Sequence, residues 1–558
     1  MLTTRCLEVI VLLEFNDIDN NTVIEADICI IGAGAAGIAM GRELAKTSYQ
    51  VCILESGGLN YEPEIQQLNQ GIDQGLDVQP AISRLRMFGG TTNHWEGQCT
   101  PLIPIDFSER DWIDNSGWPI TYEDLMPYYH QAQEILRLGP FEYGQTIWEA
   151  LQSESPFNNS DKLETFFLPL CPKKIRNFGL SYRDEAEFWS NINIYLHATA
   201  TNVATTQDNQ HVTHIDVTNI DGKKAKVKAH KYILATGAIA NARIMLYSNQ
   251  INPDGIGNEH DNVGRYFMQH PHVDIAEIVP DDKTDRETLD NILGGKQLPE
   301  EKYQGVITQV GLRLSSAQQK QEKVLNGSLI CRKGASFDSP QHLLVAMAKR
   351  LKRGELPDRF LDKLWYLLKN SGELAEFIPE ALREGIEPAL KKTTSKDSIL
   401  VQARIEQSPS RESRIMLSNE KDSLGLPGLV TKWQLNELDR RSMKILATKL
   451  GIEVGRLGLG RLRFAEWFQN FDIQDNSPAN WHPGMWGGFH HMGTTRMSDD
   501  PTQGVVDHNC KVHNMDNLFI AGSSVFTTSG YANPTLTLLA LSYRLVDHLK
   551  GTLQPKSA

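Results

Sequence analysis

Three glycines, Gly32, Gly34 and Gly37, stand in Gly-x-Gly-x-x-Gly spacing near the start of the chain. In this pattern the first glycine permits a tight turn. The second lets backbone approach a pyrophosphate, and the third lets a helix pack close to a strand. Glu55 follows Gly37 by eighteen residues, at the end of a second strand-like run (Val51 to Leu54). A carboxylate there can accept from both ribose hydroxyls of a dinucleotide and would repel a 2′-phosphate. The chemistry implied is dinucleotide binding, and the motif alone does not separate FAD from NAD. No second copy of the spacing occurs, which speaks against a separate NAD(P)H domain. Far downstream, His490 and His491 are adjacent. Histidine suits proton transfer because its pKa lies near working pH. Neighbouring side chains of an extended segment point to opposite faces, so only one of the two is expected to face a site. Asn533 precedes Pro534 at the start of a long apolar-periodic run, which reads as an N-cap followed by an N1 proline.

These residues need elements to hold them. Ala26 to Ile31 reads as a buried strand, the glycines open a helix to about Ala45, and Val51 to Leu54 is the next strand. Ile192 to His197, Val212 to Val217 and Val227 to Leu234 read as further strands, the last running into a helix that ends near Ser248. His342 to about Lys392 looks helical and carries a basic run, Lys349, Arg350, Lys352 and Arg353, read as a solvated face. Ile399 to Gln407 and Asn517 to Ala521 are strand-like, and Pro534 to Leu549 is helical.

Several ordered motifs resemble the glucose–methanol–choline (GMC) oxidoreductases. GGTTNHW at Gly89 to Trp95 is similar to the family's flavin-contacting loop, and YILATGAIANARIMLYS at Tyr232 to Ser248 to its second signature, with Ala242 where a proline is usual. DNVGRYFMQHP at Asp261 to Pro271 is similar to a further segment. HHMGTTRM, NLFIAGSSVF and ANPTLT, between His490 and Thr537, are similar to the C-terminal core. Residues 281–400 match none of these motifs.

The resemblance implies an α/β chain, α+β overall. A discontinuous Rossmann-type FAD-binding domain (25–104, 194–275 and 500–555) would lie beside a substrate domain with a mostly antiparallel sheet and helices (105–193 and 276–499). Residues 1–24 would be a poorly ordered leader. It further implies oxidation of an alcohol-type CH–OH substrate with hydride passing to flavin N5. His490 would be the base and Asn533 its partner on the substrate oxygen. Gly89, Gly90, Thr91, Gly522 and Ser523 would touch the flavin, and Val203 would lie on the adenine side. His94 matches the position at which some members attach flavin covalently, and reads either as that anchor or as a polar neighbour. The acceptor would be oxygen, a quinone or a redox protein. A lyase or decarboxylase on the same fold, or a flavoprotein subunit acting mainly through a redox partner, are the alternatives.

Composition narrows the classes. With 56 basic and 69 acidic residues the net charge is −13, which disfavours nucleic acid as a partner. Seven scattered cysteines include no Cys-x-x-Cys pair, disfavouring zinc, iron–sulfur or a disulfide framework and pointing to a reduced, cytoplasmic setting. No run of eighteen apolar residues occurs, so no membrane span is expected.

Overall fold

The structure is a computed structural model describing residues 12–280, 283–284, 286–334, 339–352, 360–386, 389, 398–475, 477, 481–482 and 485–553. Its first sheet is a parallel Rossmann-type layer. Leu12–Glu14, Ile192–Leu196, Val51–Leu54, Thr22–Ile31 and Lys224–Leu234 lie side by side in that order. Ile28 to Ile31 and Val51 to Leu54 are fully apolar and buried, as a strand covered on both faces requires. The Lys224–Leu234 strand changes partner along its length. Lys224 to Val227 pairs antiparallel with Val212–Thr218, whereas Tyr232 to Leu234 pairs parallel with Leu518–Ile520. The antiparallel ribbon thus branches from one end of the strand, and the C-terminal segment completes the parallel layer at the other.

The helices Ala35–Leu44 and Tyr122–Leu136 pack against the long C-terminal helix Thr535–Thr552. Thr121 starts the second of these with a reciprocal capping box to Asp124. The C-terminal helix begins one residue later than expected. Pro534 precedes it with helical dihedrals (φ −70°, ψ −16°), and no side chain caps it.

The second sheet is antiparallel in every described pairing. Gly295–Gln297, Ile307–Leu314, Gly327–Gly334, Ser398–Ile405, His272–Val279 and Arg461–Phe464 follow one another, with Leu163–Pro169 also on Ile307–Leu314. The helix Glu437–Arg456, capped reciprocally by Asn436 and Asp439, packs on this sheet.

Three expectations are corrected. Of the expected leader, residues 12–24 are ordered. Leu12–Glu14 pairs with Ile194 to Leu196, and Phe15 is fully buried, so this segment supplies the edge of the parallel layer; residues 1–11 lie outside the described residues. The expected boundary at 275/276 falls inside one strand, His272–Val279, which belongs wholly to the second sheet. Gly71–Asp73, in the expected dinucleotide segment, instead joins the hairpin Arg414–Lys421 and Pro427–Lys432. The helical stretch after His342 divides into Pro340–Lys352, Phe360–Lys369 and Ser371–Glu384; the side chains of the basic run lie outside the described residues. No helix among the described residues is long and apolar enough to cross a membrane.

Candidate active site

A cleft of about 840 Å³ runs from the carboxyl ends of the parallel strands to the face of the antiparallel sheet. The Thr22–Ile31 strand delivers the first glycine loop to it. A Cβ at Gly32 would sit 2.7 Å from the Ala235 carbonyl oxygen, and one at Gly37 only 2.0 Å from the Gly32 oxygen. Both positions are closed by backbone. Gly34 differs: its Cβ would meet only the Gly90 Cα, at 4.0 Å, and it lines the cleft at the N-terminus of Ala35–Leu44. The Gly89–Gly90 loop stacks on the first loop through Gly89 N–H to the Ala33 oxygen, 2.9 Å. The two loops leave backbone and a helix N-terminus facing open space, which is a cradle for phosphate.

Glu55 is buried on the cleft wall, but its carboxylate is already engaged. Ala33 N–H donates to Oε2 and Gly57 N–H to Oε1, each at 3.0 Å. Burial raises its pKa against the pull of these donors. Glu55 therefore ties together the loops that end two parallel strands, and has remaining lone pairs for a ribose. Arg84, Arg86 and Arg243 gather on the same wall. Arg243 is paired with Asp422 at 2.7 Å. Arg84 and Arg86 bond neutral groups: Pro80 and Asn69 oxygens for Arg84, and the Ser56 hydroxyl and the Asn69 side chain for Arg86. Burial depresses both guanidinium pKa values, Arg84 well below its ordinary value; repulsion from Arg86 and Arg243 adds to this at Arg84, and repulsion from Arg243 at Arg86. Such crowding favours a bound polyanion, so the loops, the helix end and the arginines together fit a dinucleotide pyrophosphate.

At the other end His490 meets two further histidines. His490 Nδ1 lies 2.8 Å from His270 Nδ1, and its ring is 5.5 Å from that of His272. His270 Nε2 lies 2.9 Å from the Gly530 oxygen. Burial holds His270 down at about 4 and His490 well below its ordinary value; the His270 and Arg404 charges push His490 the same way. Asn533 lines the cleft and donates from Nδ2 to the Gln98 oxygen at 3.1 Å, so its amide is not spent on the helix end. Its second N–H remains for a ligand.

The structure brings together Gly32, Gly34, Glu55, Gly90, Thr91, His94, Gly522, Ser523, His490 and Asn533 on this one cleft. Gly37 and Gly89 stand behind it, holding the loops. His94 ends the short 3₁₀ turn Gly90–Asn93 and is exposed toward the cleft. Ser523 Oγ donates to the His491 oxygen at 2.7 Å and so braces the histidine segment. Val203 does not border the cleft. It is buried in the ribbon with its N–H on Ser248 Oγ, 3.0 Å, while Ala198, Thr199 and Ala200 of the same ribbon line the cleft. The opposite-face argument also fails, because both His490 and His491 border the cleft. Gly488 and Phe489 have positive φ (66° and 59°), so the chain entering His490 is not an extended strand.

Sequence reasoning missed Arg84, Arg86, His272, Gln98 and Arg404, and gave His270 no role. His270 stood inside a quoted motif; the others carried no local signal.

A family profile described as GMC oxidoreductase matches residues 409–542. The chain is 22% identical to the fructose dehydrogenase large subunit of Gluconobacter japonicus, over 96% of this chain and 99% of that one. It is 23% identical to 2-methyl-1,2-propanediol dehydrogenase of Mycolicibacterium austroafricanum, over 94% and 95% respectively. A C-glycoside 3-oxidase of Arthrobacter globiformis is 31% identical over 141 residues, 24% of this chain and 23% of that one. The near-complete coverage by the first two means that the similarity spans both sheets and not the glycine loops alone.

Proposed function

The chain belongs to the GMC oxidoreductase family, and from that premise we propose that it is an FAD-dependent oxidoreductase that converts an alcohol CH–OH to a carbonyl. The enzyme class follows from the family; the cofactor, the residue roles and the acceptor are our reading. The observation that carries the mechanism is the pairing of His490 with His270. A carbonyl only accepts, so His270 bears its proton on Nε2 and offers the Nδ1 lone pair. His490 must then donate from Nδ1, which leaves its Nε2 unprotonated.

In this reading His490 Nε2 takes the substrate hydroxyl proton, and Asn533 holds the same oxygen with its free N–H, fixing the reacting atoms. Flavin bound along the glycine loops would supply the two-electron acceptor. Pro534 and the N-terminus of Thr535–Thr552 border the cleft, where a helix end favours developing negative charge. The same reading puts the dinucleotide on the parallel layer and the substrate on the antiparallel sheet, with the strand shifts given above. The final acceptor in this reading is oxygen, a quinone or a redox protein; the relatives are named both as dehydrogenases and as an oxidase. Among the described residues six cysteines are buried and unpaired, which supports the reading of a reducing, cytoplasmic setting.

The test is anaerobic. Purified holoprotein mixed with a panel of alcohols should lose its oxidised-flavin absorbance with a stoichiometric carbonyl product. A protein that binds FAD but is bleached by no alcohol, while cleaving or decarboxylating a substrate, would overturn the reading. Oxygen consumption after reduction separates an oxidase from a dehydrogenase.

A further inference from the structure

On the antiparallel sheet, Arg404 stands directly across from His272 in the pairing of Ser398–Ile405 with His272–Val279. Both side chains line the cleft, together with Gln98, Gln309 and Gln402. The guanidinium is held by neutral groups only. Nη1 donates to Gln98 Oε1 at 2.7 Å and Nε to Gln402 Oε1 at 3.1 Å. Gln98 is itself fixed by its Nε2 bond to Gln309 Oε1, 2.8 Å. Among the described residues no carboxylate forms an ion pair with Arg404. Glu96, on the exposed rim, acts on it only through space, and Arg332 is matched to Asp274 at 2.7 Å. Burial pushes Arg404 down to about 10, so it remains charged at neutral pH.

His272 gives a second, independent observation. It is 4% exposed, and among the described residues neither ring nitrogen has a hydrogen-bond partner. A buried imidazole left so is costly unless a ligand meets it. Neutral, it offers one donor and one acceptor, the complement of a hydroxyl group. Arg404 offers the free edge of a rigid fork, the complement of a carboxylate, with its remaining donors locked in place by two amides.

We propose that the alcohol oxidised here is an anionic polyol, a polyhydroxylated carboxylic acid of the aldonic or uronic type. Its carboxylate lies on the free edge of Arg404 and its hydroxyls on His272 and the glutamine cluster. This rests on the reading of His490 as the base of an alcohol oxidation, and it names the substrate class for that site. A substrate carboxylate offsets the partly buried charge that the described residues leave without an ion-pair partner. An aminated sugar meets like charge there and is disfavoured.

The test uses substrate pairs that differ in the carboxylate: gluconate against glucitol, glucuronate against glucose, and glucosamine as the cation. Flavin reduction by holoenzyme is followed anaerobically, and kcat/KM is compared within each pair. The wild type should prefer the acid on the order of 10²-fold, with the preference falling as salt is raised. In Arg404→Met the ratio should drop to about one or below, and Arg404→Lys should lie between. Gluconate binding by His490→Ala holoenzyme, followed as a perturbation of the flavin spectrum, should weaken in parallel when Arg404→Met is added. Equal use of acid and neutral partner by the wild type overturns the proposal without any variant. So does an acid preference untouched by Arg404→Met. If neither series bleaches the flavin but simple alcohols do, the anionic substrate class falls and the oxidoreductase reading stands. If no alcohol bleaches it, the oxidoreductase reading falls and takes this proposal with it.

Discussion

His270 and His490 face each other through their Nδ1 atoms at 2.8 Å, and His270 turns its Nε2 to the Gly530 carbonyl oxygen at 2.9 Å. Two neutral imidazoles so placed permit one proton arrangement, and it leaves the lone pair of His490 on Nε2. His490→Ala should therefore lose on the order of 10² to 10⁴ in the rate of flavin reduction, with FAD content unchanged because the phosphates are held elsewhere. His270→Ala should fall between that variant and the wild type, since the base survives but its tautomer is no longer set. His491→Ala is the control: its ring lies 5.8 Å from the Phe267 ring, and no bond joins it to His270. Stopped-flow reduction of the three variants decides the assignment. A near-normal rate in His490→Ala with a large loss in His491→Ala would move the base to His491.

The same histidines make stability depend on pH. His270 is held at about 4 and His491 at about 3, both by burial. Below an ordinary histidine value of about 6.5, the unfolded chain takes up protons that the native state refuses. Stability from these groups is thus complete above about 6.5 and declines as pH falls toward 4. For His270 the full effect is about 3 kcal/mol. Asp106, raised to about 6, and Asp439, raised to about 7, act in the opposite sense: their stabilisation is lost as pH rises through those values. The His270 contribution is isolated by comparing wild type with His270→Gln. Denaturant midpoints from pH 7.5 to 4.5 should show the wild type losing ground to the variant as the pH drops; parallel curves would refute it.

Gly34 and Gly37 separate ligand binding from folding. A methyl group at Gly34 meets only the Gly90 Cα at 4.0 Å, whereas one at Gly37 strikes the Gly32 oxygen at 2.0 Å. Gly34→Ala should change unfolding free energy by less than about 0.5 kcal/mol and weaken FAD binding, because its Cβ enters the phosphate cradle. Gly37→Ala should destabilise by roughly 1–3 kcal/mol even without flavin. Apoprotein melting and FAD titration measure the two effects. Unaltered FAD affinity in Gly34→Ala would take the pyrophosphate away from this loop.

Beneath the histidines, Arg110 grips Glu406 in a two-point ion pair at 2.8 and 2.6 Å, with side chains 1% and 0% exposed. Glu406 Oε2 also accepts from the Asn326 N–H at 2.7 Å, and the Asn326 side chain donates to Asp106. Arg110→Met strands a buried carboxylate and should cost about 3–5 kcal/mol. Adding Glu406→Leu should return part of that loss. Chemical denaturation of the single and double variants tests it, and a mild single variant would show that the carboxylate finds another partner.

His94 lines the cleft, and partial desolvation there lowers its pKa, which favours a neutral imidazole at the Gly89–Gly90 loop. The expected outcome of acid precipitation is a yellow pellet that turns colourless in His94→Ala. Flavin left wholly in the supernatant would reduce His94 to a polar neighbour.

The glycine spacing, the strands on either side of it and the acid that closes the unit were legible in the sequence, because each depends on backbone geometry within a few residues. A Cβ at Gly37 collides with an oxygen only five positions back. The parallel layer followed from the same local logic, as did the position of the helix from Thr535, to within one residue. Which side chains meet across the cleft was decided only by the tertiary structure. His270 and His490 are 220 residues apart, and Gln98 and Arg404 306 apart. No periodicity links such pairs; they meet because strands of one antiparallel sheet and two C-terminal loops close over the end of the parallel layer. The rule that alternate residues face opposite ways failed at His490 and His491 for a local reason, the positive φ of Gly488 and Phe489 just before them. The charge on Arg404 was present in the sequence from the start. That it is held by amides, with no ion-paired carboxylate among the described residues, is a property of the packed sheet, since burial and pairing exist only once distant segments have been brought together.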